Sequence, residues 1–212
     1  MAKLKMSKKA ASIDMTAMCD VAFLLLTFFI LTATAKQPEP LPVQTPASTV
    51  LTKLPETGLV TITVGRSNVG QSVFFGMKDR DVRAQTLELM GEKYGVKFTP
   101  DEVAQFSLIE DFGVPVSGLK QLIAMKNDKR NKSGVQPGIP IDSTNNELKD
   151  WIMYCRKANN IDLAKEKELD FAIKGDAKQQ YPQIRKIMDM LQDQDINNFA
   201  LVTGLRAKPK TN

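Results

Sequence analysis

Asp20 is the one charged side chain in an otherwise apolar run, MTAMCDVAFLLLTFFILTATA, residues 15–35. A carboxylate in hydrocarbon costs about 2.5–3.5 kcal/mol even on lenient scales, so it needs a partner or a use. Low dielectric favours the neutral acid, and a wet or cation-lined setting favours the carboxylate. A group alternating between the two binds a proton on one side and releases it on the other, so the chemistry to expect of Asp20 is proton relay. Thr16 lies one helical turn before Asp20 and Thr27 two turns beyond it, which gives a thin polar stripe along a greasy helix. Thr27 is a candidate for ordering water or receiving a hydrogen bond near the proton route. The plainer use of its hydroxyl is a bond to its own helix backbone.

The element that must position these groups is a helix across a bilayer. Roughly 20 residues at 1.5 Å each match a hydrocarbon core of about 30 Å. Lys3, Lys5, Lys8 and Lys9 precede the run, whereas Lys36 and a proline-rich stretch follow it. That asymmetry predicts a cytoplasmic N-terminus (residues 1–14), a transmembrane helix (15–35) and a C-terminal bulk on the far side. The same lysines are candidate contacts for membrane lipids with anionic head groups. A cleaved signal peptide shares the basic-then-apolar order, and ATA at 33–35 resembles a cleavage site. Against it, the apolar stretch exceeds the usual length and holds an acid.

Setting aside the four N-terminal lysines, Asp14 and Asp20 leaves 25 basic and 22 acidic residues, a surplus of three. These charges are interspersed, so no nucleic-acid partner is expected. The chain has no histidine, and Cys19 and Cys155 belong to different parts of it, so neither a zinc site nor an intrachain disulfide framework is indicated. No glycine-rich phosphate loop or nucleophile motif is present, and Ser72, Ser117 and Ser143 have no recognisable basic partner. The expectation is a protein without catalytic residues, cofactor or metal.

Five prolines fall between residues 36 and 57, dense enough to oppose helix and central strand, so this segment reads as an extended linker. Leu54 and Pro55 close its more apolar end and are candidate partner contacts. From residue 58 a folded domain begins. LVTITVG (59–65) and SVFFG (72–76) read as a hairpin. Residues 79–94 read as a helix, and Thr99-Pro100-Asp101-Glu102 as the capped start of a brief one. Residues 117–130 and 145–159 are further helical stretches. Trp151, Ile152 and Cys155 share a side of the second, which packing explains. ELDFAIKG (168–175), YPQIRKIMDMLQ (181–192) and NNFALVTGL then read as strand, helix and strand, a small α/β layer. Tyr181, at the start of that last helix, is another candidate partner contact.

IDMTAMCDVAFLLLTFFILT (13–32) and FAIKGDAKQQYPQIRKIMDMLQDQDINNFALVT (171–203) together resemble the membrane signature and C-terminal strand-helix-strand of the ExbD/TolR family of biopolymer-transport proteins. Asp20 falls on the family's single proton-handling aspartate. Ala17 stands where relatives usually carry proline. Residues 77–167 look like a helical insertion, so the resemblance covers roughly the first 65 residues and the last 45.

The resemblance implies a single transmembrane helix, a proline-rich linker and a small α/β (α+β) periplasmic domain enlarged by the insertion. It further implies an inner-membrane energy transducer. Two copies as a homodimer would sit inside a pentameric ring of ExbB-like channel subunits and drive a TonB-like protein. The alternatives are a TolR-like envelope-maintenance or peptidoglycan-binding scaffold, which would not need Asp20, and a subunit of a motility motor.

Overall fold

The computed structural model of the 212-residue chain describes residues 15–33, 39–45, 47–48, 54–67, 70–132, 134–142, 145–161, 168–176 and 181–205. It divides into two compact units, residues 1–37 and 38–212. In the first, α1 (Met15–Thr32) is one 18-residue helix none of whose residues is buried within the chain.

The second unit is built on a five-stranded mixed sheet. In chain order its strands are β2 (Leu59–Ser67), β3 (Gly70–Met77), β4 (Asp111–Phe112), β5 (Asp170–Gly175) and β6 (Phe199–Val202). They lie side by side as β4-β3-β2-β5-β6. β2 and β3 pair antiparallel as the predicted hairpin, while β2, β5 and β6 run parallel. A separate parallel pair joins β1 (Ala47–Ser48) to β7 (Gly204–Leu205).

Alternation along the strands sorts the two faces. Val60, Ile62 and Val64 stand in register with Met77, Phe75 and Val73, and Val60 and Ile62 with Phe171 and Ile173. All are buried in one core. Over this face lie α2 (Arg80–Tyr94), α6 (Glu147–Ile161) and α7 (Tyr181–Gln192), contributing Leu87, Met90, Trp151, Ile152, Ile187 and Leu191. Trp151 sits against Phe75, Phe106 and Phe112, with ring centroids 6.2, 6.2 and 4.8 Å away. Three of these four rings, Phe106 on α3 (Pro100–Ser107), Phe112 and Trp151, come from the stretch that reads as an insertion between β3 and β5. Together with α7, that stretch supplies the helical side of the core.

Local chemistry sets the helix ends. Thr99 accepts from Glu102 N while Glu102 Oε2 accepts from Thr99 N, the capping box that the sequence predicts for α3. Gly95 closes α2 at φ 68°, a conformation that favours glycine.

The structure departs from or adds to the sequence reading at three places. The helix expected over 117–130 is three pieces: a 3₁₀ turn (Val116–Gly118), α4 (Leu119–Ala124) and α5 (Asn127–Arg130), parted by extended Met125 and Lys126. Neither glycine nor proline interrupts residues 119–130, so the break answers to tertiary contacts. Leu119, Leu122 and Ile123 reach the core, whereas further on the Arg130 carbonyl accepts from buried Gln136. β4 has no counterpart in the sequence reading, because a two-residue edge strand has no periodicity to detect. Finally, part of the proline-rich segment packs on the second unit. Leu41 is buried in it, and Glu39 pairs with Lys174 of β5.

Candidate functional site

On α1 each residue turns about 100° from the last, so Thr16, Asp20 and Thr27 fall within an arc of about 40°. Asp20 is exposed, and among the described residues nothing pairs with its carboxylate. Around it stand Phe23, Leu24, Leu25 and other large apolar side chains, all more than half exposed. α1 is long and apolar enough to cross a membrane by length and composition. A helix with an apolar surface all round and one carboxylate leaves that acid to be satisfied by other chains or by water. Thr27 donates its hydroxyl proton to the Leu24 carbonyl at 3.0 Å, and Thr32 does the same to Phe28 at 2.7 Å. Thr27 therefore offers a neighbour only its oxygen lone pairs, as an acceptor.

The remaining candidate residues fall in the second unit. Leu54 and Pro55 are half-buried ahead of β2. Tyr181 opens α7, and its side chain lies outside the described residues. The structure thus brings Thr16, Asp20 and Thr27 onto one face of one helix, with the other three elsewhere in the chain.

The family model for biopolymer transport protein ExbD/TolR matches residues 6–205. The chain belongs to the ExbD/TolR family. The match spans α1, the sheet and the segment 77–167, so it is wider than the two end motifs that suggested it. No curated protein and no solved structure matches the chain. ExbD/TolR proteins are membrane-anchored, serve energy transduction in biopolymer transport, are not enzymes, and act in complexes with ExbB/TolQ-like and TonB/TolA-like partners.

Two features of this ExbD/TolR chain escape sequence reasoning. A polar cavity of about 290 Å³ opens between the end of α6 and the starts of β5 and β6. Within its lining, Arg156 donates to the Gln194 carbonyl at 2.7 Å, tying α6 to the turn after α7. The second feature is a group of charges on the sheet face opposite the helices: Asp111, Lys174 and Glu39. Burial, foremost, and then the negative charges of Glu39 and Glu110 push the Asp111 carboxyl above the usual range, against Lys174 and Lys78. No local motif marks these residues, which lie on three segments far apart in sequence. Only the strand register reveals them. Among the described residues no group of histidine, cysteine or acidic side chains is arranged to hold a metal ion.

Proposed function

We propose that this chain is the proton-motive-force-transducing subunit of an ExbB-ExbD-like inner-membrane motor, with Asp20 as the group that takes up and releases the proton. The observation that carries this reading is a carboxylate on an apolar helix that has no partner among the described residues. The N-terminus lies in the cytoplasm and the second unit in the periplasm, as the flanking lysines favour. Two copies of α1 pack within a ring of five ExbB-like channel subunits, where Asp20 faces protein and water instead of lipid. Thr16 and Thr27 extend the polar stripe, Thr27 as an acceptor. Leu54, Pro55 and Tyr181 are contacts for a TonB-like protein that carries the force onward to outer-membrane transport.

One charge crossing the membrane releases about 2.3 kcal/mol per 100 mV, a stroke that shifts packing between two states without unfolding a stable domain. The test is Asp20→Asn in cells, reading proton-gradient-dependent uptake alongside co-purification of the ring subunit. Lost uptake with intact assembly is the expected result. Full uptake would mean a scaffold of the TolR-like kind, for which the carboxylate is dispensable.

A further inference from the structure

Over most of the second unit acids and bases alternate, but one lobe departs from that pattern. Residues 38–212 hold 24 basic and 22 acidic side chains, and residues 117–135 take five of the bases and a single acid, Asp128, which leaves the rest at 19 against 21. The lobe begins where the helix expected over 117–130 breaks. Met125 and Lys126 are extended, and α5 follows at once. Residues 124–129 are exposed without interruption, so this segment stands out from the unit instead of lining a groove. Met125 and Val135, each 38% exposed, place apolar side chains among the lysines.

Backbone bonds hold the lobe in shape. Lys129 N donates to the Lys126 carbonyl at 3.0 Å, Lys132 N to the Lys129 carbonyl at 3.4 Å and Val135 N to the Lys132 carbonyl at 3.3 Å. That run of turns keeps the three lysines and Val135 close together. At the base, buried Gln136 donates to the Arg130 carbonyl at 3.2 Å and accepts from Gly113 N at 2.7 Å, which ties the lobe to the residue after β4. Arg130 is buried as well, with one guanidinium nitrogen on Asn127 Oδ1 and no acceptor for Nε among the described residues. Lys120, the fifth base, lies over the Phe98 ring at 5.8 Å. Among the described residues none of Lys126, Lys129, Arg130 and Lys132 forms an ion pair with an acid, so the charge of the lobe is not cancelled within the chain.

We propose that this lobe docks on the head groups of an anionic phospholipid bilayer, with Lys126, Lys129 and Lys132 on the phosphates and Met125 and Val135 at the interface. Lysines set around a few exposed apolar side chains are the composition of a membrane-surface segment. A segment that stands outward meets a flat surface directly, whereas a protein partner would have to offer a matching hollow. The family is membrane-anchored, so lipid head groups are present at high effective concentration for a unit tethered to them. One lysine beside an anionic surface raises the docked-to-free ratio roughly fivefold, and three together raise it on the order of a hundredfold. A contact of that strength is reversible and is released by salt. It is separate from the N-terminal lysines and stands whether or not Asp20 carries protons.

The test uses the full chain reconstituted in vesicles, with Cys19→Ser and a polarity-sensitive fluorophore on Val135→Cys; Cys155 is buried. Emission is compared between vesicles of phosphatidylcholine alone and vesicles of equal parts phosphatidylcholine and phosphatidylglycerol. The docked fraction is expected to rise in the anionic vesicles and to return to the neutral-vesicle level at about 1 M salt, where charges are screened within about 3 Å. Replacing Lys126→Gln, Lys129→Gln and Lys132→Gln one after another should lower the docked-to-free ratio roughly fivefold each time. The same fluorophore on Gln192→Cys, exposed at the end of α7, should not respond. Equal emission in the two kinds of vesicle, a response that survives the three substitutions, or an equal response at position 192 would overturn the proposal. So would a response that requires the ring subunit, which would point to an acidic protein as the partner.

Discussion

At the scale of single residues, placement decides what each group can do. Cys155 donates its thiol to the Ile152 carbonyl at 3.1 Å, and complete burial pushes it up to about 12. A thiol so raised favours its neutral form in the folded chain, so its contribution to stability is full below the unfolded thiol range. It is lost as pH climbs from there through about 12. Iodoacetamide at pH 8 should therefore modify Cys155 only after denaturation, and modification of the folded chain would show that the α6 core opens. Gly76 is fixed by a different constraint, because a Cβ there meets the Asp111 carboxylate. Gly76→Ala should destabilise the folded unit by about 1–3 kcal/mol, read as a lower urea midpoint with an unchanged slope. Asp20 was legible from the sequence at this scale because a charge in an apolar run stands out without any fold. Asp111 was not, because nothing in EDFG tells a buried acid from a solvated one.

At the scale of elements, periodicity made the β2–β3 hairpin, α2, β5, α7 and β6 readable, since each has one face in the core and enough length to repeat a pattern. The α3 capping box was equally plain. Thr99→Ala should cost about 1 kcal/mol in a chemical denaturation curve, and no loss would mean the box adds nothing to what packing of Val103 and Phe106 already fixes. What failed to read was long-range. Met125 and Lys126 break a helix without a breaker, Asp111 and Phe112 form a strand too short to repeat, and Leu41 leaves a proline-rich stretch for the sheet. Trp151 shows the same limit from the other side, as its burial was expected but its partners Phe75, Phe106 and Phe112 all lie far from it in the sequence. Trp151→Ala should cost about 3–5 kcal/mol, measured by thermal or urea unfolding of the full chain.

At the scale of the whole molecule, an apolar helix with one acid and a folded α+β unit of the ExbD/TolR family sit on one chain. The family settles energy transduction in biopolymer transport as the general activity, and the proposed motor role makes Asp20 the point at which proton flow is converted. The most direct measurement is proton flux into vesicles holding the chain with its ring subunit, at a fixed gradient, for the unsubstituted chain and for Asp20→Asn, with complex assembly verified in both. Flux abolished by Asp20→Asn in an intact complex is the predicted result. Undiminished flux through the substituted complex would contradict the account at its centre.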